Sequence, residues 1–261
     1  MLILPIFLLS VPTESAATTS AVDTAPVSVQ DAAQPVEPKW TGAVSLGLSV
    51  FDGDTDTRSA TATADAEYRR EHDRTTVGFY WNYQQDKNAT PSITQRRTGL
   101  KAKYDYFFSK RTYGLVQGSA EADKAADVKL RTTIGVGAGH QFLEDEAWIG
   151  SGTWKVSAEA GVAQFDEDFN VAQDSDYITA RAAYSAEWKA SEKWSLSQNC
   201  EIFPSLEDSS DLFIKLDTRG KIALTEKMFG QIQWLWTYDN TPAAGLSRTN
   251  DLYALTLGWS F

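Results

Sequence analysis

The sequence predicts an all-β fold, a single closed, antiparallel, up-and-down transmembrane β-barrel of about twelve strands. Three observations predict it. From Trp40 to Phe261 apolar residues alternate with small or polar ones, a period of two rather than the 3.6 of a helix. The connections between these segments alternate between tight and longer. The chain ends on "DLYALTLGWSF", where Tyr253, Leu255, Leu257, Trp259 and Phe261 share one face and Ala254, Thr256, Gly258 and Ser260 the other.

Composition bounds the alternatives. A chain of 261 residues fits one all-β domain of barrel size. The net charge of -11, with no basic cluster, excludes nucleic acid as a partner. Nine Trp, ten Tyr and twelve Phe are a large aromatic complement, and the single cysteine, Cys200, rules out an internal disulfide. No apolar run reaches the ~18 residues of a transmembrane helix. Strands that are apolar on one face only keep mean hydropathy low, as observed.

The opening "MLILPIFLLSVPTESAA" has the apolar run and small residues of a signal peptide, covering 1–17 or extending to 21, without the usual basic start. Residues 18–38, rich in Ala, Thr, Ser, Val and Pro, have no periodicity and are expected to be a disordered linker. The barrel then occupies 39–261.

Each strand is read from its alternation. Trp40, Gly42, Val44, Leu46, Leu48 and Val50 form one face of the first. Ala60, Ala62, Ala64, Ala66 and Tyr68 do so in the second, and Val77, Phe79, Trp81 and Tyr83 in the third. The same reading gives strands at 40–51, 57–71, 74–85, 93–108, 111–122, 128–142, 148–165, 177–189, 193–204, 211–224, 228–239 and 249–261. Tight connections are expected at "EHDR", "SKR", "LEDE", "KASEK" and "TEK". Longer ones are expected at "DGDTD", "DKNATPSI", "DKAAD", "DEDFNVAQDSD", "LEDSSD" and "NTPAAGLSR". Pro204 marks the end of the ninth strand, or a bulge in it.

Alternation alone fits a soluble sandwich as well as a membrane barrel. Three features favour the barrel. Trp40, Tyr68, Tyr104, Tyr106, Trp188, Trp194, Trp234, Trp236 and Tyr238 gather near strand ends, as residues at a membrane–water interface do. Several apolar faces are rich in Gly and Ala, which would fill a soluble core poorly. The alternating C-terminal strand, with its terminal Phe261, resembles the signal read by the bacterial barrel-assembly machinery. It also supplies the last stave, which must pair with the first to leave no edge. The apolar face then meets lipid, and the charged face lines the lumen, because Lys or Arg in hydrocarbon costs about 2–4 kcal/mol each. The expected lumen charges are Arg97, Lys101, Lys103, Asp105, Lys129, Arg131, Glu159, Lys215, Asp217 and Arg219.

The segments "GLSVFDGDTDTRSATATADAEYRR", "KYDYFFSKRTYGLVQGSAEADKAADVKLRTTIGVGAGHQF" and "VSAEAGV" resemble the salt-induced outer-membrane protein family of Gram-negative bacteria. Asp54 stands where that family usually has Asn. The resemblance covers the mature domain. It implies an outer-membrane barrel of largely undefined activity. Lipid and lipopolysaccharide, the barrel-assembly machinery and small solutes are the expected partners of such a barrel after signal-peptide cleavage. The resemblance also implies a role in adaptation to salt or osmotic stress.

No catalytic or metal residues are assigned, and no cofactor is expected. His72 lies in a tight turn, and His140 is on the lipid-facing set. Neither shares a face with a serine and an acid, as a hydrolase would need. Asp52, Asp54 and Asp56 have the spacing of a calcium loop, but Thr57 and Thr63 stand where the turn Gly and the closing Glu are required. Cys200 reads as a small wall residue. Three functions follow from the lumen: a non-enzymatic envelope barrel plugged by paired charges, a narrow channel for small solutes, or an outer-membrane hydrolase.

Overall fold

A half-apolar strand leaves its backbone donors and acceptors pointing sideways, and twelve such strands satisfy them by forming a ring. In the computed structural model the described residues are 39–51, 56–90, 92–208 and 210–261. The expected signal peptide, 1–17, and linker, 18–38, lie outside them. The strands are β1 (Lys39–Phe51), β2 (Thr57–Arg69), β3 (Asp73–Asp86), β4 (Ile93–Phe107), β5 (Thr112–Asp123), β6 (Val128–Glu146), β7 (Thr153–Phe169), β8 (Ser175–Lys189), β9 (Trp194–Pro204), β10 (Leu212–Ala223), β11 (Met228–Asp239) and β12 (Thr249–Ser260). Each pairs antiparallel with its sequence neighbours, and β1 pairs with β12, so the barrel is closed. The closing ladder runs from Ala43–Ser260 to Leu46–Leu257. The backbones of Gly42 and Phe261 extend it by exchanging hydrogen bonds of 3.1 and 3.0 Å.

Strand partners share a face, so the register fixes which side chains point where. The inward row Ser45–Thr63–Tyr80–Gly99–Glu121–Arg131–Glu167 crosses seven consecutive strands. On the other face Leu46, Leu48, Ile134, Ile232, Leu255 and Leu257 are exposed, Leu48 to 83%. Outward aromatics encircle the turn end and cluster at the loop end on β3, β11 and β12. At the turn end, which carries the start of β1 and the end of β12, Trp40 packs on Tyr68 with centroids 5.2 Å apart, and Trp154 stacks on Trp188 at 5.7 Å. At the loop end Trp81 stacks on Tyr83, Trp236 on Tyr238, and Trp234 on Tyr253. The run from Met228, opposite Trp259, to Trp236 rises about 20 Å at ~3.3 Å per residue and ~40° of tilt.

The boundaries differ from the sequence expectation by more than two residues at the end of β6 and at both ends of β7, which runs on to Phe169 rather than 165. β6 continues through "LEDE" to Glu146, and β7 starts at Thr153 rather than 148. Register shifts at Gln141/Leu143 and Glu144/Glu146 let β6 bend without ending. The turn proper is 147–152, where Gly150 (φ 73°) and Gly152 (φ 90°) take conformations that disfavour other residues. β9 ends at Pro204, as the sequence predicts.

Neighbouring strands approach each other closely at Gly137 and Gly161, paired on β6 and β7. A Cβ on Gly137 would lie 2.4 Å from the Ala160 carbonyl oxygen, and one on Gly161 2.2 Å from that of Val136. Gly137→Val is therefore expected to abolish the folded, heat-modifiable form on detergent gels. Gly220→Ala, which meets nothing within 4 Å, should leave it intact.

Candidate functional site

The lumen is crossed by two layers of ion pairs, and register explains how each is assembled. In the layer nearer the loop end Glu121 is the centre. Arg97 donates to both of its oxygens at 2.8 Å, Arg131 at 3.3 Å and Lys215, from the far wall, at 3.1 Å. The Tyr80 hydroxyl donates to the same carboxylate. Arg131 continues the layer to Glu167 at 2.6 Å and to Asp239 at 3.4 Å, and Arg97 approaches Asp123 at 3.5 Å. Phe165, Tyr177, Phe203 and Phe213 form a buried cluster beside it, with the Arg131 guanidinium 4.3 Å above the Phe213 ring.

Glu159 is the centre of the second layer. It accepts from Lys103, from Arg181 at 2.9 Å and from Tyr113 at 2.8 Å. Arg181 also binds Glu201 at 2.6 Å, and Arg74 binds Asp105 at 2.7 Å. Phe107, Tyr113 and Leu115 are buried here, and the Arg69 guanidinium lies 3.7 Å over the Phe107 ring. Arg219 makes a third connection, from β10 to Asp65 on β2 at 2.8 Å, while holding Asp217 at 2.7 Å.

The same local device serves both centres. Tyr80, Gly99 and Glu121 are partners on β3, β4 and β5, and Tyr113, Gly139 and Glu159 on β5, β6 and β7. A Cβ on Gly99 would lie 2.2 Å from the Tyr80 ring, and one on Gly139 2.4 Å from the Tyr113 ring. Each glycine lets a tyrosine lie flat across the intervening strand and hydrogen-bond a carboxylate one strand further on.

Between the layers is a cavity of about 300 Å³, into which Lys101 projects. A smaller space of about 60 Å³ adjoins Asp65, Asp217 and Arg219.

Of the expected lumen residues, Arg97, Lys101, Lys103, Asp105, Arg131, Glu159, Lys215, Asp217 and Arg219 face inward. Lys129 does not line the lumen: the register shift between Val128 and Leu130 removes it from the alternation, and it is exposed. Sequence reasoning did not name Glu121, Arg181, Glu201, Arg74 or the two tyrosines. Their positions in the alternation of β3, β5, β8 and β9 carried the signal, diluted by neighbouring Ser, Gln, Ala and Asn. Tyr253, Leu255, Leu257 and Trp259 face outward and are exposed. The Phe261 ring lies against Gly42, whose Cβ would be 2.8 Å from it.

His72 is exposed in its turn, 3.9 Å from Glu71. His140 is exposed on the outer face, hydrogen-bonded to Thr112 at 2.9 Å and edge-on to Phe142. Asp52 and Asp54 lie outside the described residues, and Asp56 pairs with Lys87 at 2.5 Å. Among the described residues no group of three or more His, Cys, Asp or Glu is placed to hold a metal ion.

The sequence profile of the family described as "Protein of unknown function, DUF481" matches residues 44–261. The chain belongs to that family. No curated protein matches this DUF481 member in sequence. Solved structures similar to it include the NanC porin, 7% identical over 85% of this chain and 99% of that one, with a TM-score of 0.49. The translocator domain of the autotransporter NalP from Neisseria meningitidis is 11% identical over 85% and 87%, with a TM-score of 0.43. The outer membrane channel DcaP of Acinetobacter baumannii is 10% identical over 86% and 97%, with a TM-score of 0.38.

Glu121 neutralises arginines that are almost wholly inaccessible: Arg97 is 3% and Arg131 7% exposed. Glu121→Gln should therefore lower folding stability by about 3–5 kcal/mol, because it strands buried charge. Glu146→Gln breaks only the exposed pair with Arg111 and should cost under about 1 kcal/mol. Urea titration of the folded barrel in lipid vesicles checks both.

Proposed function

We propose that this DUF481 protein is an integral, non-enzymatic barrel of a Gram-negative outer membrane, with a lumen latched by ion pairs at rest. The observation that carries this reading is the outer face. An apolar surface lies between the turn-end aromatics and those at the loop end of β3, β11 and β12, and the ~20 Å between them along β11 is close to the ~25 Å apolar band of outer-membrane barrels. In water that face would be a large exposed hydrophobic patch, an aggregation hazard rather than a stable surface. Lipid and lipopolysaccharide are the partners it implies, and the C-terminal strand ending at Phe261 fits recognition by the barrel-assembly machinery. Expression raised by salt, and a role in osmotic adaptation of the envelope, extend the reading through the family resemblance.

The lumen supports a latched barrel rather than a general porin. Lys215–Glu121, Arg131–Asp239 and Arg219–Asp65 join walls that are not adjacent in the sheet. A second reading, a narrow channel for small solutes, is favoured by the cavity between the layers. A hydrolase is disfavoured because both histidines lie outside the lumen, on a turn and on the outer face.

Wild-type protein is expected in the outer-membrane fraction, released only by detergent, and silent in planar bilayers at moderate voltage. Replacing Glu121 and Glu159 together by alanine should produce discrete conductance steps. Steady conductance by the wild type would favour the channel reading. Recovery as a soluble periplasmic protein would overturn the proposal.

A further inference from the structure

The two latch layers enclose a space in which one cation has no hydrogen bond or ion pair. The cavity of about 300 Å³ is bordered by Phe165, Phe203 and Phe213 towards the loop end and by Arg74, Lys103 and Glu159 towards the turn end. Its size is at the lower end of small-molecule sites, about 300–1,000 Å³. The other cations lining it are engaged. Arg74 is held by Asp105, Lys103 and Arg181 by Glu159, and Lys215 and Arg131 by Glu121. Lys101 is different. Among the described residues it is the one lining cation with no hydrogen bond or ion pair, and it is exposed although it faces the interior.

Its placement is built in. Lys101 is opposite Gly78 on β3 and Ser119 on β5. A Cβ on Gly78 would lie 2.5 Å from Lys101 Cε, so only glycine lets the lysine stem lie across β3. Asp65, on that wall, is already bonded to Arg219, and Glu201 and Asp217, the acids whose charge Lys101 offsets from the far wall, are held by Arg181 and Arg219. Ser157, Ser185 and Asn199 add neutral polar groups to the cavity wall.

We propose that this cavity is a binding site for a small monocarboxylate with an apolar body, its carboxylate paired with the Lys101 ammonium. One unpaired cation suits one negative charge; a second would face Glu67, Glu121 and Glu201 with no free partner. A neutral solute would leave Lys101 unpaired, and the three phenylalanines offer an apolar surface that an inorganic anion would not use. The proposal rests on the latched-barrel reading, because an open pore would hold bulk water at this level.

Equilibrium dialysis of the folded, detergent-solubilised protein against benzoate and its neutral isostere benzamide tests it. The wild type should bind one benzoate and prefer it to benzamide by about tenfold or more, the worth of a charge-assisted contact. Lys101→Gln should lose that preference, while Lys101→Arg should keep it. Lys221→Gln should also keep it, since Lys221 faces the lumen outside this cavity, against Phe229. Ser185→Phe, which fills the cavity from a position whose cross-strand partners, Ser157 and Asn199, are neutral, should abolish binding. Heat-modifiable mobility of every variant reports folding. Binding unchanged in Lys101→Gln or Ser185→Phe, equal uptake of the two probes, or no uptake by a folded wild type would overturn the site. A wild type without heat-modifiable mobility would instead overturn the barrel reading and the site with it.

Discussion

Backbone amides and carbonyls on a strand point towards its neighbours, so a sheet surrounded by hydrocarbon has to close on itself. That constraint organises this protein. Closure requires β12 to find β1, and their ladder from Ala43–Ser260 to Leu46–Leu257 fixes the register of the ring. Register then fixes parity, because a shift of one residue would exchange the two faces of a strand. The outward set becomes a continuous apolar surface, and every charged residue of the inward set is confined to one lumen.

Confinement explains why the lumen is so thoroughly paired. An ionised side chain withdrawn from water is costly unless it is matched, and the interior holds many of both signs. Glu121 and Glu159 resolve this by each serving several donors from different walls. Gly99 and Gly139 make those centres possible, since any side chain there would displace the tyrosine that completes the carboxylate's hydrogen bonds. Small residues that look like weak points in a strand are thus where the interior is held together. The layers also bound the cavity beside Lys101, so the features that close the lumen leave a space of about 300 Å³ within it.

Much of this was legible in the sequence. Period-two alternation identified every strand, and charges at fixed parity on β4, β7 and β10 pointed to the lumen. Two kinds of information were hidden. Bulges do not announce themselves in an alternating pattern, so neither the shift that takes Lys129 out of the inward set nor the continuation of β6 to Glu146 has a sign in the sequence. Partnership across the lumen depends on shear and tilt, which join Lys215 to Glu121 and Arg219 to Asp65 over long sequence separations. No local pattern encodes those pairs. Tyr80 and Tyr113 were passed over because an isolated tyrosine in a strand reads as wall, and its function appears only with the glycine beside it.

The central claim is that bilayer hydrocarbon covers the outward set. It is tested most directly by depth-dependent quenching in vesicles of brominated lipid. A single fluorophore would be attached in turn at Leu46→Cys, Ile232→Cys, Ser45→Cys and Thr63→Cys in a Cys200→Ser background. The account predicts strong quenching at positions 46 and 232 and little at 45 and 63. Equal quenching at all four, or stronger quenching at 45 and 63, would contradict it.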